Sequence, residues 1–218
     1  MEPTRTPEPI PADYNVSVSG PPSNEFIKFA QWDDNRVKLS TWVAGYIVAH
    51  GLDYPARLVE MDPEGYKDAL PHADIDVVFE ADPAWAQPYV DAGVIVLLGP
   101  LSSASPDTVV AVNSRVWQEA PEVGKFLEQY AWDGDVLTAE TSKIRGGRVA
   151  IGANVIGLTI FKKMEDLWTP WLGPSEVEAV WVELSARTTG LCREWEIRLG
   201  DAFRVRYCKD DPSLVSGD

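Results

Sequence analysis

The chain is short of positive charge. Nineteen lysines and arginines stand against 34 acids, giving a formal net charge of −15 over 218 residues. That balance argues against nucleic acid or an anionic membrane as a partner. Long apolar runs are missing too, since none approaches the roughly 20 residues of a membrane span. Histidine occurs twice, at His50 and His72, and cysteine twice, at Cys192 and Cys208. Neither pair has the spacing of a zinc site, so no metal is expected. GxGxxG, the P-loop, GxSxG and HExxH are also absent. No cofactor is implied, and no catalytic constellation marks an enzyme. Met1 is followed by Glu2, Pro3 and Thr4, without the basic and apolar segments of a signal peptide. The sequence reads as a cytosolic chain or as a mature form.

Tryptophan is in excess, with nine copies. Each is a large core residue first, but aromatic faces also form cages for quaternary ammonium groups. The first 24 residues, "MEPTRTPEPIPADYNVSVSGPPSN", are rich in Pro, Ser and Thr and lack periodicity, which predicts a disordered leader. From there strands and helices alternate. "EFIKFAQW" reads as a strand. A helix capped by Asp34 follows, with Leu39, Trp42, Val43, Tyr46 and Ile47 at helical spacing. Gly51 stands where a C′ glycine belongs. Further strands are expected at 56–61, 74–80, 94–99 and 108–113, and helices at 63–70, 121–130, 135–144 and 148–172. Gly152 and Gly157 weigh against the last of these. This alternation predicts an α/β fold of three layers, a mostly parallel sheet flanked by helices over residues 25–172. Residues 173–218 form a C-terminal extension. Within it "REWEIRLGDAFRVRY" reads as a β-hairpin that places Cys192 opposite Cys208. A cross-strand disulfide and two reduced thiols are both compatible with that placement.

In open sheets of this kind ligands bind beyond the carboxyl ends of the strands. Trp32, Asp33 and Asp34 lie at one such end, Glu80, Asp82 and Trp85 at another, so both groups are expected at one edge. A methylated cation suits aromatics and acids together, because it has no N–H donors and must be recognised by ring faces and carboxylate charge. The acid pairs Asp33/Asp34 and Asp74/Asp76 read more readily as caps and solvated charge than as metal ligands. The basic island "SKIRGGR" (142–148) is explained by a helix end beside glycines.

Three segments carry a resemblance. "IKFAQWDDNRVKLSTWVAGYIVAHGLDYPARLVEMD" and "ADIDVVFEADPAW" come first, then "VAVNSRVWQEAPEVGKFLEQY" with "FKKMEDLWTPWL". In order and content, over about residues 26–172, they resemble the substrate-binding proteins of glycine betaine/choline-type ABC transporters, which are two-lobed binding proteins of the type II arrangement. The resemblance implies a periplasmic-binding-protein-like lobe, a small cationic or zwitterionic solute such as glycine betaine, choline or carnitine, and an ABC permease as partner. It also implies an extracytoplasmic place, periplasmic or membrane-tethered, and Trp32, Asp33, Asn35, Glu80 and Trp85 at the ligand. One departure stands out. The family's second lobe is inserted between the segments matching "VIVLLGP" and "VAVN", and here only "LSSASPD" joins them. A single lobe is therefore expected. The alternative reading is a lobe-derived interaction module that has lost its ligand and forms a homodimer through the exposed cleft face.

Overall fold

The structure is a computed structural model and describes residues 26–103, 105–144 and 152–185. The leader, the hairpin and both cysteines lie outside the described residues. Five strands form one sheet: β1 (Ile27–Gln31), β2 (Ala56–Glu60), β3 (Val77–Ala81), β4 (Ile95–Leu97) and β5 (Val109–Asn113), in the order β2-β1-β3-β5-β4. β1 runs parallel to β2 and β3, whereas β5 is antiparallel to β3 and β4. Four strands thus point one way and β5 points back, which makes the sheet mixed.

Side-chain alternation divides the core into two faces. Ile27, Phe29, Val77, Phe79 and Val112 face a large layer containing α1 (Asn35–His50), α5 (Pro121–Gln129), α6 (Gly134–Thr141) and α7 (Ala153–Lys163). Ala30, Val78, Ala81 and Ala111 face a thinner layer holding α2 (Tyr66–Ala69) and α3 (Pro83–Asp91). The expected three layers are present. α4 (Arg115–Glu119) links β5 to α5.

β3 contains a bulge. Val78 pairs with Ala111 and Ala81 with Val109, so β3 advances three residues while β5 advances two. Glu80, inside the bulge, has φ +65°, a left-handed conformation unusual for a side chain other than glycine, asparagine or aspartate. The extra residue turns Ala81 onto the same face as Val78.

Two expectations need correction. The helix expected at 148–172 is broken. α7 ends at Lys163, Met164 leaves helical geometry, and α8 (Glu165–Trp168) passes into a 3₁₀ turn, Thr169–Trp171. The break folds Trp168 back into the core, where its indole N–H donates to the Phe161 carbonyl at 3.0 Å. Gly51 caps α1 with φ −89° and makes no use of left-handed freedom. It is needed for space, since a Cβ there would lie 2.9 Å from the Ile47 carbonyl oxygen and 3.0 Å from Val180. Helical residues 174–185 bring Val180 and Leu184 into the same core, so that core continues past residue 172.

The β4–β5 connection is held down on both sides. Leu101 is fully buried and its carbonyl accepts the Trp132 N–H at 2.8 Å. Ser105 bonds to groups at the strand ends, described next.

Candidate functional site

β1, β2 and β3 end at one edge of the sheet, where β5 begins: Gln31 pairs with Glu60, and Ala81 with Val109. Trp32 leaves β1 in a tight turn, its carbonyl accepting the Asp34 N–H at 2.8 Å. Asp34 then caps α1, accepting from the N–H groups of Arg36 and Val37 at 2.7 and 3.2 Å, as its side-chain chemistry predicts. Being two residues after Ala30, Trp32 falls on the α2/α3 side of the sheet. There it stacks on Tyr66, with centroids 6.0 Å apart and planes 24° apart. Trp85 stands on the first turn of α3, set by the Asp82 cap. It meets Tyr66 edge-on at 5.1 Å and then Tyr89 at 5.4 Å. Tyr66 is 4% exposed, and its hydroxyl accepts the Asp82 N–H at 3.0 Å. Burial pushes its pKa up, so the phenol stays neutral. Trp32 and Trp85 are both half-buried and share this one tyrosine as a spacer.

The charged groups divide differently. Asp33 is exposed and pairs with Lys38 at 2.5 Å, a hydrogen bond that lowers its pKa. Asn35 is exposed on the first turn of α1. Glu80 is nearly enclosed. It accepts the Ser105 hydroxyl at 3.0 Å and lies 3.4 Å from an Nη of Arg36, whose other Nη donates to Ser105 at 2.8 Å. Burial raises the Glu80 pKa more than the Ser105 hydrogen bond and the Arg36 charge lower it, with Asp34 adding a small further rise. A carboxylate whose folded pKa is raised contributes its stability in full below the unfolded value. That contribution is lost as pH rises through the folded value. Glu80→Gln is therefore expected to preserve or raise thermal stability at neutral pH, and to remove the loss expected of wild type as pH rises through the folded Glu80 value. Parallel melts across that range check this, and a variant uniformly less stable than wild type would contradict it.

Of the residues expected at the ligand, the structure gathers Trp32 and Trp85 around Tyr66 and sets Glu80 against Arg36. It leaves Asp33 exposed on the turn after β1 and Asn35 exposed at the start of α1. Sequence reasoning missed Tyr66, Arg36 and Ser105. Tyr66 ends "DPEGY" and Arg36 directly follows "QWDDN", so each adjoins a segment whose pattern is local. Ser105 carries no local signal. Of the second acid pair, Asp74 is exposed, and the two oxygens of Asp76 accept from Lys28 N–H and Arg115 Nε. Among the described residues no group of acids, histidines or cysteines could hold a metal ion. No helix there is long and apolar enough to cross a membrane. Chemically, the edge offers the rings of Trp32 and Trp85 on either side of Tyr66.

Neither a family model nor a curated protein matches the sequence. Solved structures do match in fold. One is an ABC-transporter choline-binding protein in complex with choline, with TM-score 0.61 and 10% identity over 73% of this chain and 98% of that one. A second is the lactococcal glycine betaine-binding protein in its closed, liganded conformation, with TM-score 0.55 and 10% identity over 68% of this chain and 100% of that one. A third is the glycine betaine/L-proline-binding protein of a Borrelia burgdorferi ABC transporter, with TM-score 0.58 and 7% identity over 72% of this chain and 100% of that one. The chain has the fold of these binding proteins.

Proposed function

We propose that this chain is a solute-binding component of ABC-type transport and takes a quaternary ammonium compound such as glycine betaine, choline or carnitine. The observation that carries the reading is the pair Trp32 and Trp85, half-buried and joined by Tyr66 at the carboxyl edge of the sheet. The neighbours sharing this fold bind choline or glycine betaine. A methylated ammonium offers no hydrogen to donate, so its binding rests on ring faces, each contributing about 0.5–2 kcal/mol according to how dry the contact is. An ABC permease on the outer side of a membrane is the partner that fits such a role, and no reaction chemistry is called for.

Isothermal titration calorimetry with the three solutes tests the proposal. Binding is expected, with Trp32→Ala and Trp85→Ala each weakening it about tenfold, the scale of one desolvated cation–π contact. Trp32→Phe should recover part of the loss, because it keeps a ring face against Tyr66. Thermal melts run alongside separate lost binding from lost packing. Absence of heat at millimolar solute would sink the proposal.

A further inference from the structure

We infer that Tyr66 is a positioning residue of this site: its hydroxyl holds the start of α3, and with it Trp85, beside the ring on which Trp32 stacks. The inference deepens the solute-binding reading above and rests on it. Tyr66 is only 4% exposed, so it has little surface of its own to offer a solute. Its part is to fix where the two indoles stand.

The corner between β3 and α3 depends on an outside hold. Pro83, the first residue of α3, has no N–H. The N–H groups of Ala84 and Trp85 donate to the Asp82 carboxylate at 2.9 and 3.4 Å. That cap orders the first turn of α3 but ties it to no other element. The N–H of Asp82 itself points elsewhere, and the Tyr66 hydroxyl accepts it at 3.0 Å from 16 residues away in the chain. The strand cannot aim the helix alone, because its ladder shifts register between Val78 and Ala81, with Glu80 at φ +65°.

Tyr66 meets both indoles, but its two parts serve them differently. The ring lies 24° from the plane of Trp32 at 6.0 Å and stands edge-on to Trp85 at 5.1 Å. These contacts need only an aromatic ring. The hydroxyl acts on Asp82, and so on Trp85 three residues further on. Trp32 leaves β1 in a turn of its own, closed by the Asp34 N–H. Burial keeps the phenol neutral, so this acceptor does not change through the neutral pH range. Removing the oxygen is therefore expected to act through one tryptophan and not the other.

Calorimetry of the full chain with glycine betaine, choline and carnitine tests this, with Tyr66→Phe alone and combined with each tryptophan variant. Tyr66→Phe keeps the ring, and water can take the freed N–H at exposed Asp82, so the fold should stand. Affinity for the tightest of the three solutes is expected to fall about fivefold, the scale of one neutral hydrogen bond. In a Trp85→Ala background the same change should cost nothing, because no indole remains there to be placed. In a Trp32→Ala background it should still cost about fivefold. A residue that merely supports the fold would cost the same in both backgrounds, and that result overturns the assignment. Solute binding that Tyr66→Phe leaves unchanged overturns it too, with the solute-binding reading intact. If wild type binds none of the three solutes, that reading fails and this role for Tyr66 fails with it. ¹⁵N-indole spectra without solute give a second readout. Tyr66→Phe should move the Trp85 signal further than that of Trp32, and an equal or smaller movement at Trp85 overturns the assignment.

Discussion

Asp76→Ala is expected to destabilise the protein by about 3–5 kcal/mol, the usual consequence of removing one partner from a buried ion pair. Asp76 is fully buried at the start of β3, and its two oxygens serve different donors. Oδ2 accepts the Lys28 N–H of β1 at 2.8 Å, and Oδ1 accepts Nε of Arg115 at 2.7 Å. Its own backbone bonds to the Lys28 carbonyl and to the Asn113 N–H, so one residue ties β1, β3, β5 and the start of α4. Without the carboxylate, the Arg115 side chain, only 16% exposed, keeps its charge and loses this partner at 2.7 Å. Asp76→Asn should also cost stability, because an amide offers one acceptor oxygen where two are needed. Asp74→Ala, at an exposed site two residues away, should stay within about 0.5 kcal/mol of wild type. Urea unfolding of the three variants checks the ordering. Equal losses at Asp74 and Asp76 would contradict it.

The second large effect is expected at Gly157. A Cβ on this residue would lie 2.2 Å from Cε3 and 2.3 Å from Cζ3 of Trp42, closer than atoms can sit. Trp42 cannot easily swing away, since its ring stacks on Tyr46 at 5.2 Å and meets Phe161 at 6.3 Å. Gly157→Ala gains about 1 kcal/mol of helix propensity, but overpacking of this kind typically costs 1–3 kcal/mol and here forces α7 off α1. A net loss of about 2 kcal/mol is expected, and a greater one for Gly157→Val. Trp42→Leu should make Gly157→Ala tolerable, with a coupling of about 1–2 kcal/mol in the double-mutant cycle. Additive losses would show that the two residues do not meet as described.

These residues also mark where sequence patterns stop informing. Strand positions were legible because period-2 alternation and turn residues are local, and the Asp34 cap was legible because its acceptor serves residues only two and three positions further on. Gly157 looked like a defect in a helix, and its reason lies on another element more than a hundred residues earlier. Asp76 looked like one of two solvated acids, because nothing adjacent in sequence announces Arg115. The break at Met164 was invisible for the same reason, being set by where Trp168 finds burial. At the candidate site, Trp32 and Trp85 were found from their place after strands. Tyr66, which joins them, was missed because α2 has only four residues and no periodicity to read. The pairing of Glu80 with Arg36 and Ser105 depends on a bulge, which shifts a face by one residue and leaves no pattern behind it.

Whether a methylated cation occupies the Trp32–Tyr66–Trp85 edge is tested most directly by ¹⁵N-indole spectra of the labelled protein titrated with glycine betaine and choline. The nine tryptophans give distinct probes, and Trp→Phe variants identify the signals of Trp32 and Trp85. Solute binding at this edge predicts that those two indole signals move together along one saturable curve, while those of the core residues Trp132, Trp168 and Trp171 hold still. Signals of Trp32 and Trp85 unmoved at saturating solute, or shifts confined to other tryptophans, would contradict it.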